Sequence, residues 1–399
     1  EQARRAAWIA VLPFENMSDD PEQDYFAHGI AEDVITGLAA WSTLRVIART
    51  SSFRYEGENL DQIAEELSVR YVLEGSVRRA GERVRVTAQL IDATGGGHHV
   101  WAERYDADMV DIFEVQDQIT RSIVVAIDPA IRLAETGPES RVETKSLDAW
   151  DHVQLGRSET YKFKPEANTE AIGHFNAALA IDPTYSVAWS ELAFAHFVDA
   201  WFNFVDTGSD SINLAYEEAR KALELDERDA MAHAVLAFVN LGLGRLDAMA
   251  ASATRAIELN PSLAYGYLAL GDAKLFGGDA DEGVRIISEA IALSPHDPGA
   301  VFFYGARAIG HLLAHRYDEA TDDARAAVNL KYGYVLGRVM LTSALAHMGE
   351  LEDARRELEE LLAIKPDFTL GLLDPYPMSD EDRKHISDGL YTAGLPESS

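Results

Sequence analysis

Two stretches near the amino terminus carry side chains or backbone that could bind a metal or a phosphate. His98 and His99 follow Asp92, and imidazole with carboxylate is a common set of zinc ligands. Adjacent residues of a strand point to opposite faces, however, so the two rings would chelate a metal poorly. Residues 95–97 are a glycine run, but neither the Lys nor the helix of a phosphate-binding loop follows it. We therefore predict no metal and no cofactor here.

A third stretch is a polar turn after the first apolar segment. Asn16, Ser18 and Asp20 could line a small-ligand pocket, because ligands of α/β sheets bind at the carboxyl ends of strands. The alternative is a capped turn, in which these short polar side chains bond to their own backbone. A basic hairpin further along would be a solvated face, or a contact for an acidic partner or for the chain's own acidic repeats, and it contains Arg78, Arg79, Arg83 and Arg85. We predict no catalytic residue in either feature.

The elements that would position these side chains alternate between strand and helix patterns over residues 7–133. In one of them, Val84, Val86, Ala88 and Leu90 alternate with polar residues, which indicates a half-buried strand. Strands are predicted at 8–14, 44–48, 71–77, 84–90 and 99–105, and helices at 23–41, 60–67 and 112–133. The order β-α-β-α-β-β-β-α predicts a small mixed sheet with helices packed on it, as in an α/β sandwich.

The remainder of the chain repeats one phrase, a small residue and apolar residues followed by a helix stop. It is clearest at residues 178–183, 256–261 and 290–295, and most copies stand 34 residues apart. With Tyr267, Leu270 and Gly271 in one first helix, this period resembles the tetratricopeptide repeat. Small residues would let two helices cross closely, and glycine would permit a tight turn. About six repeats are predicted, at 152–185, 186–229, 230–263, 264–297, 298–334 and 335–368.

The domain organisation follows from these two patterns. We expect an α/β domain at 7–133, a linker and the start of the first repeat helix at 134–150, and an all-α array at 151–368. About ten extra residues of the second repeat would lie near the polar stretch 206–210. A polar capping helix and tail at 369–399 would cover the last apolar face of the array. The fold class is thus an α+β multidomain protein.

The resemblance to tetratricopeptide repeats implies which residues face a partner, because the first helix of each pair lines a concave surface in that family. Those positions are mostly apolar here, so a clamp of Lys, Arg and Asn for a peptide carboxylate is not expected. An apolar surface of that size should be occupied by the amino-terminal domain, a second subunit or an apolar partner segment. The alternative is that these residues are core. The candidates are Val187, Phe194, Phe197, Met231, Phe238, Leu241, Tyr265, Leu268, Leu275, Phe302, Ile309, Leu336 and Val339.

The amino-terminal region also carries a family resemblance. Residues 9–18 (IAVLPFENMS), 25–33 (YFAHGIAED) and 71–77 (YVLEGSV) are similar to a TolB-type amino-terminal domain, with a departure at His28, where Asp is usual. Such a domain followed by tetratricopeptide repeats resembles the carboxy-terminal half of bacterial class III adenylate or guanylate cyclases. This resemblance implies a non-catalytic regulatory module that controls a preceding cyclase domain through dimerisation or partner binding. The alternatives are the sensor half of a winged-helix transcriptional regulator and a periplasmic repeat scaffold.

Charge and composition narrow the class of partner. The net charge of −32 repels phosphates, so direct nucleic-acid binding is not expected. The chain has no cysteine, which excludes disulfides and thiolate sites, and no apolar run is long enough to suggest a membrane span. Because the sequence starts at Glu1, it has the look of a piece of a longer protein. We expect protein partners, either a second copy or an upstream domain, and a cytoplasmic location, with the periplasm as the alternative.

Overall fold

The structure is a computed structural model. It describes residues 8–18, 20–39, 44–55, 59–93, 97–116, 119, 146–202, 208–374 and 376–396. Four predictions lie partly outside these ranges. They concern residues 95–96 of the glycine run, residues 206–207 of the polar stretch in the second repeat, residues 117–118 and 120–133 of the closing helix, and residues 134–145 of the linker. The chain forms two compact units. Unit 1 comprises Glu1–Ala232, Ala256–Leu263 and Leu293–Asp297, and unit 2 comprises His233–Arg255, Ala264–Ala292 and Pro298–Ser399.

Unit 1 contains a six-stranded mixed sheet. The strands are β1 (Trp8–Val11), β2 (Glu15–Asn16), β3 (Arg45–Val46), β4 (Tyr71–Ala80), β5 (Arg83–Asp92) and β6 (His98–Asp108). Their order is β3-β1-β4-β5-β6, and β2 pairs with β4. β1 runs parallel to β3 and β4, whereas β4, β5 and β6 form an antiparallel meander. The two-residue strand β2 was not predicted, because it is too short to show an alternating pattern.

Helices cover both faces of this sheet. They are α1 (Asp24–Ala39), α2 (Arg49–Ser52) and α3 (Leu60–Glu66). α1 carries Phe26, Ile30, Val34 and Leu38 at a spacing of four, so one side of the helix is apolar, and all four are buried in the main core of the sheet. On the other face, Ile63 of α3 belongs to a second, smaller core.

Twelve helices, arranged as consecutive pairs, follow the sheet domain in the described part of the chain. Their bounds are α4 (Leu147–Thr160), α5 (Pro165–Ile181), α6 (Ser186–Phe202), α7 (Gly208–Leu225), α8 (Ala230–Gly242), α9 (Leu246–Leu259), α10 (Ala264–Phe276), α11 (Ala280–Leu293), α12 (Ala300–Leu313), α13 (Tyr317–Leu330), α14 (Val335–Met348) and α15 (Leu351–Ile364). Five copies of the phrase open with an alanine, and each of these alanines is fully buried, as expected where helices cross closely: Ala178, Ala222, Ala256, Ala290 and Ala327. The predicted fold class, a small mixed sheet followed by an all-α repeat array, is confirmed.

The turns inside the helix pairs show why glycine recurs there. Gly244, Gly278 and Gly349 all have positive φ, a backbone conformation that glycine adopts without steric cost. The turn between α12 and α13 places His315 in the same conformation, with φ of 58°. The chain then ends in a 3-10 turn (Leu370–Leu373) and a polar helix, α16 (Asp380–Ala393). No helix in the part of the chain that the structure describes is both long and apolar enough to cross a bilayer.

Candidate functional site

The thirteen predicted concave-face residues are largely shielded from solvent. Ten of them are buried, and Val187, Met231 and Phe302 are half-buried. Several are shielded by neighbouring helix pairs: the Tyr265 ring meets Phe303 edge-on at 5.5 Å, and Phe302 meets Tyr334 at 5.9 Å. Val187 packs on the core formed by α4, α5 and α6. At these positions the burial is supplied by the array itself.

The last repeat is covered differently, by the carboxy-terminal helix α16. Ser343 of α14 is fully buried, and its hydroxyl donates a 3.0 Å hydrogen bond to the carbonyl of Ile386 in the middle of α16. Gly389 lies so close to α14 that a side-chain carbon there would stand 2.3 Å from Ser343 Oγ. Ile386 and Leu390 are fully buried in the same seam. The chain therefore seats its own last helix on α14, the first helix of the last predicted repeat.

The segment before α16 covers a buried carboxyl group. Asp272 of α10 is 5% exposed, and burial raises its pKa to about 8, so it is protonated at neutral pH. Burial and the neighbouring Asp272 raise the pKa of Tyr376 to about 12. The Tyr376 ring lies 5.7 Å from the Phe276 ring. The polar groups in this contact are thus held in their neutral forms.

A buried ionic cluster joins α1 to the first helix pairs within unit 1. We define it as Glu32, Asp33, Arg49, Arg157 and Glu191. Arg157 Nε donates to Glu191 Oε1 at 2.9 Å, and Arg157 also lies 3.8 Å from a Glu32 oxygen and 3.7 Å from an Asp33 oxygen. Arg49 Nε lies 2.9 Å from the other Glu32 oxygen. The cluster therefore ties the amino-terminal domain to both α4 and α6.

Asp33 is fixed from a second direction. Its Oδ2 accepts hydrogen bonds from Trp150 Nε1 at 2.8 Å and from Gln116 Nε2 at 3.0 Å. The Trp150 ring packs edge-on against Phe26 of α1 at 5.6 Å, and a side chain on Gly29 would collide with it. Only glycine lets α1 and α4 approach this closely. The consecutive acids in α1 are therefore part of a close helix contact.

The charges in the ionic cluster do not balance, since three carboxylates face two guanidinium groups. Burial disfavours the charged form of Arg157, but Glu191, Glu32 and Asp33 outweigh it and hold its pKa well above the usual value. Burial raises the pKa of Glu191, and Arg157 offsets this only in part. Removing Arg157 would leave buried carboxylates without their main counter-ion. Sequence reasoning missed this cluster, although two adjacent acids inside an apolar helix face were a usable signal.

The edge of the sheet is also bound to segments 256–263 and 293–297 within unit 1. Val46 N donates to Ser262 Oγ at 3.0 Å, and Ala48 N donates to the Leu293 carbonyl at 2.9 Å. Ser51 Oγ accepts from His296 N at 2.9 Å. Both segments contain the residues at which a copy of the recurring phrase ends its helix. These residues therefore contact the sheet domain in addition to forming the turn.

The polar turn uses its side chains on its own backbone. Asn16 Oδ1 accepts from Ser18 N at 2.9 Å, and Asn16 Nδ2 donates to the Asp20 carbonyl at 3.0 Å. Ser18 Oγ accepts from Arg79 N at 2.9 Å, which ties the turn to β4. These contacts are those of the capped turn that the sequence offered as the alternative to a ligand pocket.

The remaining candidates are also engaged locally. Asp92 accepts two hydrogen bonds from Arg70, at 2.9 and 2.7 Å, and pairs with His98 across β5 and β6. Arg85 Nε donates to Asp106 at 2.6 Å on the exposed side of the hairpin. Across the described ranges no group of three or more His, Cys, Asp or Glu is placed to hold a metal.

Comparison with curated proteins identifies one extended relative. The chain is 43% identical over 244 residues to a protein of Rhizobium meliloti named putative adenylate cyclase 3, across 60% of this chain and 41% of the relative. It is 28% identical over 88 residues to mouse serine/threonine-protein phosphatase 5, across 22% of this chain and 17% of that protein. The chain thus spans well under half the length of these relatives. No protein-family model matches it.

Solved structures support the fold. A chain of the APC/C hetero-tetramer Cut9–Hcn1 aligns with a TM-score of 0.50 at 12% identity, over 94% of this chain and 64% of that one. A thermophilic TPR protein of Thermus thermophilus aligns with a TM-score of 0.38 at 21% identity, over 49% of this chain and 98% of that one. At such identities a likeness shows the fold alone. The fold they share with this chain is an array of paired helices of the tetratricopeptide type.

Proposed function

We propose that this chain is the regulatory, protein-interaction module of a class III nucleotide cyclase and does no chemistry itself. The main support is its 43% identity over 244 residues to a relative named as a putative adenylate cyclase. The TolB-type resemblance of residues 9–18, 25–33 and 71–77 points to the same parent. The cyclase domain would precede this chain, in the cytoplasm.

The mechanism we propose is control of geometry. In the cyclase family that the chain resembles, catalytic sites form between two chains, so a module that sets how two chains meet can set activity. The ionic cluster fits this role, because it ties the sheet domain to the first repeats through Arg157 and Glu32. If the sheet domain and the first repeats are held together, a partner that binds one of them can shift the position of the other. Loosely linked domains would not transmit such a change. The partner would be a second copy or the cyclase domain itself.

The test uses the full-length parent protein and this chain, expressed separately in a bacterium that lacks its own adenylate cyclase. We expect the full-length protein to produce cyclic nucleotide and this chain to produce none. A full-length protein that makes no cyclic nucleotide but binds a DNA operator would favour the winged-helix regulator instead. Cyclic nucleotide made by this chain alone would refute a non-catalytic role.

A further inference from the structure

Three histidines and a tyrosine meet where the carboxy-terminal helix α16 sits on the last repeat. We call His315, Tyr317, His347 and His385 the histidine cluster. The rings of His347 and His385 are stacked at 4.2 Å, and His315 meets His385 edge-on at 4.5 Å. Tyr317 stacks on His347 at 5.1 Å, and its hydroxyl lies 2.8 Å from His315 Nδ1. Two of the histidines belong to the array, and His385 belongs to the helix that covers it.

The cluster forms part of the attachment of α16. His347 Nε2 donates to the carbonyl of His385 at 2.9 Å, one residue before the Ile386 carbonyl that accepts from Ser343. Ser343 and His347 stand four residues apart on α14, so one face of α14 binds two consecutive carbonyls of α16. The stacked rings of His347 and His385 lie beside these two hydrogen bonds. Like charges on stacked rings would repel.

The backbone at His315 is strained, with φ of 58°, as it also is at Phe163 in the turn of the first helix pair. Three other turns of the array place glycine in the same left-handed conformation: Gly244, Gly278 and Gly349. A residue with a side chain is disfavoured there, and such strain persists where surrounding contacts hold it. His315 is the residue at that turn whose ring reaches α16.

We propose that the histidine cluster is a pH-sensitive latch, which holds α16 on α14 at neutral pH and loosens this attachment on acidification. The groups that face His385 are His347 of α14, His315 at the turn, Tyr317 of α13, and Asp382 and Asp388 of α16 itself. This inference adds a regulation to the proposed protein-binding role: release would uncover Ser343 and its neighbours for a partner.

The direction of the effect follows from the charges. Burial, followed by His347 and His315, lowers the pKa of His385 in the seated state, and the two aspartates oppose this shift. A histidine with a lowered pKa stabilises the seated state above its ordinary pKa of 6.5, and this stabilisation is lost as the pH falls. The largest possible effect arises if His385 stays neutral while α16 is seated and takes up a proton with its ordinary pKa when α16 is released. The equilibrium constant for seating would then be about 30-fold smaller near pH 5 than at high pH.

The absence of cysteine from the chain permits a direct assay. Ala393 of α16 is buried, so Ala393→Cys in the full chain introduces a single thiol that is protected while α16 is seated. The thiol is reacted with a pyridyl disulfide, a reagent that also works in acid. At each pH, protection is the reaction rate of the urea-unfolded variant divided by that of the folded variant, which removes the effect of pH on the reagent and the thiol. We expect this protection to fall between about pH 7.5 and pH 5, by at most about 30-fold.

Second substitutions in the Ala393→Cys chain identify the cause. His385→Gln should leave protection nearly independent of pH, whereas His174→Gln, in a histidine pair with His152 elsewhere, should keep the full response. His315→Gly should weaken the response while raising the melting temperature by about 2–4 °C, because it also relieves the strained turn.

Protection that does not change with pH in Ala393→Cys itself would overturn the latch. So would an undiminished response in His385→Gln. If His385→Gln exposes the thiol at every pH, His315→Gly decides: a reduced acid response supports the latch, and an unchanged one overturns it. The assay contains no partner, so its failure would leave the proposed cyclase role untouched, and failure of that role would leave the latch standing.

Discussion

Replacing Arg157 with methionine tests whether the ionic cluster joins the sheet domain to the first repeats. The guanidinium is buried, with Glu191 at 2.9 Å, Asp33 at 3.7 Å and Glu32 at 3.8 Å. Methionine fills much of the same volume but leaves Arg49, which pairs with Glu32, as the one guanidinium for the three buried carboxylates of the cluster. Removing one partner of a buried ion pair costs about 3–5 kcal/mol. In a domain of this size such a loss lowers the melting temperature by about 10 °C.

The assay is urea unfolding of wild type and Arg157→Met, followed by intrinsic fluorescence near pH 7.5 and again near pH 5. Carboxylates left without a counter-ion have raised pKa values, so their cost is present at high pH and is relieved as the pH falls and they take up protons. The difference between the two proteins should therefore shrink at the lower pH. Arg220→Met is the matched control, since Arg220 is exposed beside Glu217 and Glu224 and should cost less than about 0.5 kcal/mol. A cost for Arg157→Met below about 1 kcal/mol, or one equal at both pH values, would refute the reasoning.

Three further predictions concern separate contacts. Asp272→Asn should stabilise the chain near pH 9, by about 6 kcal/mol at most, because burial raises the pKa of this carboxyl to about 8 and its ionisation therefore destabilises the fold as the pH rises; thermal unfolding at about pH 4 should show no gain. Gly389→Val should unseat α16, since its side chain would meet Ser343 and the α14 backbone; faster amide exchange in residues 380–393 alone is the expected sign, and normal protection there would contradict it. Asn16→Ala should cost about 1 kcal/mol in urea unfolding through the lost turn bonds, and an unchanged midpoint together with weakened binding of a small ligand would favour the pocket instead.

Much of the architecture follows from local patterns. The alanine of each recurring phrase predicted a close helix crossing, and Ala256 and Ala290 are fully buried at such crossings. Strand alternation at Val84 to Leu90 predicted β5, although the strand extends to Asp92. These features were predictable because each depends on residues a few positions apart, where the period of a helix or strand fixes which side chains share a face.

The candidate sites were less predictable because they join distant parts of the chain. Nothing in the local pattern around Glu32 indicates that its partner is Arg157, and no period links His315 to His385. The repeats themselves offered one usable signal: His315 occupies a turn position that is glycine in three other repeats, and aligning the repeats would have singled it out. A partner's identity depends on surfaces outside this chain.

The most direct test of the central proposal is the cyclic nucleotide production of the full-length parent protein carrying Arg157→Met or the Arg220→Met control. Production is measured per molecule of folded protein near pH 7.5, at a temperature where both variants remain folded. If this chain regulates a cyclase through the joined sheet domain and repeats, Arg157→Met should change the rate by about three-fold or more and Arg220→Met should leave it unchanged. Equal rates in wild type and both variants would contradict the proposal.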